Sequence, residues 1–208
     1  MSGIAIIGAG GHGRVVASIL QAANREAAGF IDNDAPTNLP LPLLGGDADI
    51  PKLIENGVIS SFIIGVGSIK GGESLRSKLF DKLIKLGLTP AVAIHPMAML
   101  SHGVNIGAGS VLMAGVIVNT GTTIGKNCII NTGAIIDHDG SIGDHVHIAP
   151  GVTCSGNVTV GQHSLIGVGS TVIQSVSIGE HVTIGAGSTV IRNVPKGATA
   201  YGNPAEVA

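Results

Sequence analysis

Large rings are almost absent from this chain of 208 residues: it has no tryptophan, one tyrosine and three phenylalanines. A core locked by interleaved aromatics is thereby excluded, and the aliphatic content must be organised another way. Charge is sparse as well, with 11 Lys and Arg against 13 Asp and Glu. A formal charge of −2 and the lack of any Lys/Arg cluster argue against nucleic acid as a partner. No apolar run reaches the roughly 18 residues needed to cross a bilayer, so no membrane insertion is expected. Only two cysteines occur, Cys128 and Cys154. Their spacing does not suit a stacked pair, and reduced thiols of a cytoplasmic protein are expected. A Gly-rich motif stands within the first ten residues, where a signal peptide would have its apolar stretch, and this points the same way.

What is abundant is glycine, at 33 residues, and branched aliphatics at a fixed interval. From Leu100 an aliphatic side chain returns every six positions: Ile106, Leu112, Val118, Ile124, Ile130, and onward to Ile184 and Val190. Of sixteen such positions, fifteen hold Leu, Ile or Val and one holds Cys154. A second column of small residues follows four places later in each hexad, with Ser110, Thr122, Cys128, Ser164 and Ser188 among its members. A fixed period sets the architecture before any local pattern does. Six is not a helical period, and alternation is broken every few residues by turn formers. The solution is a parallel β-helix with three short strands per coil of 18 residues. Such a solenoid needs covered ends. The N-terminal part is expected to cap one end and the tail from Lys196 to Ala208 the other. Flat faces of this kind are also natural surfaces for a closed oligomer.

Residues 1–96 read differently. Ile4–Ile7 is an apolar strand running into Gly8-Ala9-Gly10-Gly11-His12-Gly13, after which Val15, Val16, Ile19 and Leu20 recur at helical spacing. A G-x-G-x-x-G between strand and helix supplies a tight turn, and N–H groups of the helix start aimed at an anion. Asp32 ends a second strand about 20 residues on, where a ribose or base contact belongs. Further strands are expected at Ser61–Val66 and Ala91–Ile94, with helices at Ala48–Asn56 and Glu73–Leu86. Gly65-Val66-Gly67 sets a second glycine turn beside the first. Strands alternating with helices imply a parallel sheet of half the dinucleotide-binding size, suited to one nucleotide. The alternative is a glycine turn kept for packing alone. His95 reads as a junction residue.

Five histidines fall between positions 138 and 181. Asp137-His138-Asp139 is the one place where carboxylates flank an imidazole. A carboxylate beside histidine sets its tautomer and raises its basicity, as a general base near neutral pH requires. The plainer alternative is a solvated turn histidine. His147 lies half a coil on, so the two would converge only across a subunit boundary. His145, His163 and His181, spaced by 18, occupy one position in successive coils. A column of this kind has the wrong geometry for a tetrahedral metal site, and no metal is expected.

With the hexads, the Gly8–Gly13 loop and Asp137-His138-Asp139 together, the chain resembles the two-domain bacterial sugar acetyltransferases. These comprise sialic-acid O-acetyltransferases and the bacillosamine- and perosamine-type N-acetyltransferases. The resemblance covers essentially the whole chain. It implies a Rossmann-like α/β half domain over residues 1–96 that binds a nucleotide sugar. It also implies a left-handed β-helix acetyltransferase domain over residues 97–208, working as a homotrimer with sites at subunit interfaces. The implied reaction is direct transfer from acetyl-CoA to the 4-amino group of a nucleotide-linked 4-amino-4,6-dideoxy sugar, UDP-linked by preference, with GDP-perosamine as the other acceptor. Surface polysaccharide synthesis and protein glycosylation are the settings it implies.

By the same resemblance His138 is the general base and Asp139 its orienting acid. Asn131 lies near the acceptor amine, and Gly8, Gly10, Gly11, His12, Asp32 and Gly65 belong to the nucleotide-sugar site. His147, Gly156, Gly167 and Ala186 belong to the coenzyme site. The segment Gly67-Ser68-Ile69-Lys70-Gly71-Gly72 is longer than the short turn of many members and is expected to face the sugar pocket. Rival readings are O-acetylation of sialic acid or a related sugar, a γ-type carbonic anhydrase, which stoichiometric zinc would favour, and a nucleotide-sugar-binding scaffold without catalysis.

Overall fold

The computed structural model describes residues 3–68 and 71–208. They form two compact units: residues 3–67 with 75–96, and residues 68 and 71–74 with 97–208.

In the first unit the strands are β1 (Gly3–Ile7), β2 (Ala27–Ile31), β3 (Leu43–Gly45), β4 (Ile59–Ile64) and β5 (Thr89–Pro90), in the sheet order β3-β2-β1-β4-β5, all parallel. The helices are α1 (Gly11–Ala22), α2 (Ile50–Glu55) and α3 (Leu75–Lys85). β1 and the Phe62–Ile64 end of β4 are apolar runs without alternation, because parallel strands are covered on both faces. Ile6, Phe62 and Ile63 have no exposed surface. All three phenylalanines lie here, and Phe62 meets Phe80 edge to face at 5.6 Å. Two expectations are corrected. β3 went unread because Pro40 and Pro42 break the pattern just before it. The last strand of the sheet is Thr89–Pro90, while Ala93–Ile94 is a separate strand outside this sheet.

In the second unit, two-residue strands such as Ile117–Val118 and Ile135–Ile136 pair in parallel with their counterparts 18 residues on. Three sheets result, one per face. The hexad column points inward: Leu112, Val118, Ile130, Ile136, Ile148, Ile166 and Ile184 are fully buried. Each buried aliphatic contributes about 1.5–3 kcal/mol relative to exposure. The interior holds no ring, since a side chain must stack on its neighbour about 4.8 Å away. The small column serves the corners. The Ser110 hydroxyl donates to the Gly125 carbonyl at 2.8 Å and accepts the Cys128 N–H at 2.9 Å, and Ser164 and Ser170 repeat the arrangement. These buried hydroxyls are satisfied within the coil.

The solenoid closes at its far end by shortening. Ile178 bridges Val194, and Thr183 pairs Thr199, sixteen residues on in both cases. Thr199–Gly202 then forms an antiparallel hairpin with Ala205–Val207, so the tail covers that edge of the sheet.

Candidate active site

The glycine loop opens between β1 and α1, at the carboxyl end of β1 and beside the place where sheet order reverses. Open parallel sheets hold ligands there. Gly8 has φ +103°, and a Cβ on Gly13 would lie 2.0 Å from the Gly8 carbonyl oxygen, so the loop and helix meet at backbone contact. Gly65 packs into the same junction. Gly10 and Gly11 face open space, and no side chain caps the start of α1. Asp32 ties the loop to β2: one carboxylate oxygen accepts the Ala9 N–H at 2.7 Å and the other accepts the Asp34 N–H at 2.9 Å. A cavity of about 200 Å³ lies here, lined by Gly8, Asp32, Asn33, Asp47, Val66 and Leu75 among others. A larger one of about 430 Å³ lies along α1 beside Arg14, Gln21, Arg25 and Pro40 and includes none of the loop glycines.

The sequence reading missed Arg76. It is 2% exposed, and its Nη1 donates to the carbonyls of Ile64 at 2.6 Å and Val66 at 3.0 Å. The same nitrogen lies 3.5 Å from His12 Nε2. A buried cation thus sits beneath the loop, holding the end of β4 open toward it. Its only sequence signal was an Arg in an amphipathic helix, where a solvated position is the default. Arg76→Met is expected to leave two buried carbonyls unbonded and to cost about 1–3 kcal/mol of stability, read from the urea midpoint.

In the second unit, His138 and Asp139 occupy an exposed corner between the strands Ile135–Ile136 and Ser141–Ile142. His138 Nδ1 lies 2.9 Å from Asp139 Oδ2, so the ring donates there and the lone pair of a neutral imidazole is on Nε2. Asp137 faces the backbone instead, accepting the His138 N–H at 2.8 Å. The Asn119 amide donates to the same Asp137 oxygen at 2.7 Å, and Ser101 supports Asn119 in turn at 3.3 Å. Asn119 was overlooked, although its place one coil before Asp137 is visible in the 18-residue period. The Asn119 amide, then the His138 N–H, hold the Asp137 carboxyl below its ordinary range. The hydrogen bond to Asp139, then the charge of Asp137, push the His138 imidazole above its ordinary 6.5. A base with a raised pKa is active above that value and silenced as pH falls through it. Asp139→Asn removes the largest cause. The acidic limb of kcat/KM, followed from about pH 5 to pH 9, is expected to move to lower pH while the plateau falls.

Gly156 lies one coil beyond His138. A Cβ there would sit 2.5 Å from His138 Nε2 and 2.6 Å from Cε1, so the ring occupies the space that a side chain would fill.

The structure also joins Asn131 to His147. Asn131 Oδ1 accepts the Thr132 N–H at 2.8 Å, which fixes the amide, and its Nδ2 lies 3.2 Å from His147 Nε2. His147 Nδ1 lies 2.8 Å from the Ser68 carbonyl. Gly167 is buried, and its N–H is already committed to the Ile184 carbonyl at 2.9 Å. It offers shape rather than a hydrogen-bond donor, whereas Ala186 is exposed. The expected loop from Gly67 to Gly72 is anchored on the solenoid: Gly71 N–H donates to Thr183 Oγ1 and Gly72 N–H to the His163 carbonyl, both at 2.8 Å. Ile69 and Lys70 lie outside the described residues.

His145, His163 and His181 stack face to face, with centroids 4.7 and 5.0 Å apart and ring planes within 11°. Parallel rings aim their nitrogens alike rather than at a common point. Each has φ near +60°, a corner position. Cys154 is buried and its thiol is pushed up to about 12 by that burial, so it is no nucleophile.

A parallel α/β unit with a glycine loop, joined to a six-residue-repeat β-helix that carries a carboxylate-held histidine, is the architecture of the hexapeptide-repeat transferases. Comparison with known proteins agrees. Residues 3–83 match the model of the PglD N-terminal domain, and residues 157–192 match that of the bacterial transferase hexapeptide repeats. Among solved structures, PerB of Caulobacter crescentus, in complex with CoA and GDP-perosamine, is 39% identical. The match covers 100% of this chain and 98% of that one, with a TM-score of 0.93. The acetyltransferase domain of PglB from Neisseria gonorrhoeae, in complex with acetyl coenzyme A, is 34% identical over 99% of this chain and 98% of that one, with a TM-score of 0.88. WeeI of Acinetobacter baumannii is 28% identical over the whole of both chains, with a TM-score of 0.86. No curated protein matches the chain. The chain belongs to the family of two-domain bacterial sugar N-acetyltransferases with a PglD-type N-terminal domain and a hexapeptide-repeat β-helix, and it is an acetyltransferase.

Proposed function

We propose that the protein transfers an acetyl group from acetyl-CoA to the 4-amino group of a nucleotide-linked 4-amino-4,6-dideoxy sugar, with His138 as general base. The observation that carries this reading is the His138–Asp139 pair, with Nδ1 committed to the carboxylate and Nε2 lying against the backbone of Gly156. The glycine loop, the uncapped start of α1 and the cationic Arg76 beneath them suit a diphosphate. The sugar amine then attacks the thioester carbonyl while Nε2 takes its proton. The tetrahedral oxyanion is held by the Gly156 N–H, and it collapses with loss of the coenzyme thiolate, which takes up a proton.

Half a coil separates His138 from His147 in one chain. A homotrimer, with the two brought together across a subunit boundary, completes the site in this proposal. The 39%-identical relative holding GDP-perosamine supports a guanosine-linked sugar over the uridine-linked one expected from sequence.

Thiol release from acetyl-CoA, assayed with GDP-perosamine, with a UDP-linked 4-amino sugar and with free sialic acid, tests the reading. Turnover of the GDP sugar is expected. Turnover of sialic acid alone would replace N-acetylation by the O-acetyl chemistry.

A further inference from the structure

Ser68, Gly71 and Gly72 follow β4 in sequence, yet they are held by the β-helix. His147, Leu165 and Thr183 stand opposite one another on three successive coils of one sheet. The Ser68 carbonyl meets His147, and the Gly71 N–H meets Thr183, so the anchors are two strand spacings apart, roughly 10 Å. Leu165, between them, points outward from the coil and is only 8% exposed. Gly71 approaches so closely that a Cβ would lie 2.3 Å from the Val182 carbonyl oxygen. Gly72 has φ +110°, a conformation closed to most side chains.

A carbonyl oxygen only accepts. The contact with Ser68 therefore places the proton of a neutral His147 on Nδ1 and leaves Nε2 as an acceptor. The Asn131 amide supplies the matching donor, and its orientation is independently set by the Thr132 N–H. A second N–H of that amide then points away from His147 in a fixed direction. Two sets of contacts thus hold this segment on one face: Gly71 and Gly72 on Thr183 and His163, and Ser68 on His147, which in turn meets Asn131.

We propose that Ser68 is a positioning residue for acetyl transfer: its carbonyl, in the segment anchored at Gly71 and Gly72, locks His147 in the one tautomer whose Nε2 accepts from the already fixed Asn131 amide, and so holds the imidazole in place at the acetyl-transfer site. This deepens the functional reading above and rests on it. The segment after β4 thereby couples its anchors on Thr183 and His163 to the imidazole of His147.

Two kinds of measurement test it. The first needs no turnover. NMR of the protein labelled with ¹⁵N-histidine should report His147 as the Nδ1–H tautomer, and Gly71→Ala should abolish that signature. An Nε2–H form in the unaltered protein overturns the proposal, whatever the substrate proves to be.

The second is kinetic. Gly71→Ala is expected to lower kcat by about tenfold to a hundredfold, with the Kd for acetyl-CoA changed less than about threefold. In a His147→Ala background it should add nothing, because it acts through that ring. Losses that multiply instead mean a merely structural role and overturn the proposal. Thr183→Val, which removes only the hydroxyl that receives the Gly71 N–H, should lower kcat by about two- to tenfold, and Thr183→Ser should restore it. This pair decides the matter even if Gly71→Ala does not fold, and an unchanged kcat in Thr183→Val counts against the coupling. A protein that shows the expected tautomer but acetylates no amino sugar would sink the functional reading and leave the positioning of His147 standing.

Discussion

His138→Ala is expected to lower kcat by about 10²–10⁴-fold, the usual contribution of one general base, while the Kd values for acetyl-CoA and the nucleotide sugar stay close to those of the unaltered enzyme. The geometry supports a loss of that kind. The ring is exposed, its Nδ1 is committed to Asp139, and it makes no contribution to the packed interior of the coil. Removing it should therefore leave the thermal unfolding midpoint in place. The expected kinetic pattern is a fall in kcat with little change in KM, measured by thiol release with each substrate varied in turn while the other is saturating. Full turnover in the variant would demote His138 to a solvated turn residue. His138→Gln, which keeps bulk and polarity but offers no base, should behave like Ala.

The second large effect is expected at a residue with no side chain. Gly156→Ala places a methyl group where the His138 ring sits, 2.5 Å from Nε2 and 3.1 Å from Cδ2. Gly156 is not among the glycines with positive φ, so the backbone accepts alanine without strain and the clash with the ring is isolated. The ring must swing outward, which breaks its alignment with Asp139 or moves Nε2 from the acceptor. A misplacement of about 1 Å typically costs on the order of 10²-fold, and that is the loss in kcat expected here. The double variant His138→Ala with Gly156→Ala should be no slower than His138→Ala alone, since the methyl group then has no ring to displace. If the two losses multiply, the added methyl group acts on something other than the His138 ring, and the clash with that ring is not the cause of the loss.

Much of the molecule was readable before any coordinate. The hexad column from Leu100 to Val190 dictated a coil of 18 residues because only one period lets every branched aliphatic stack on its equivalent. The strand–glycine–helix pattern at Ile4–Leu20 was equally local, since sheet, turn and helix each have their own spacing. Where the reading failed, the cause was local too. Leu43–Gly45 is three residues long behind two prolines, too short to show alternation. Thr89–Pro90 was displaced by the more apolar Ala91–Ile94.

The site divides along the same line. That His138 is flanked by Asp137 and Asp139 is a fact of sequence, but both carboxylates were equal there. The fold decided that Asp139 holds the imidazole while Asp137 faces the backbone, through φ +57° at Asp139 and the Asn119 amide one coil away. The contacts of Asn131 with His147, of Ser68 with His147 and of Arg76 with the end of β4 join residues 16, 79 and 12 positions apart. By itself, then, the sequence determined the repeat and the kind of residue present at each corner, because periodicity and turn chemistry are short-range. Which nitrogen carries a proton, which carboxylate it meets and which cation lies under the glycine loop were decided only by the tertiary structure, because a hydrogen bond depends on directions that stacking and burial set, and not on spacing along the chain.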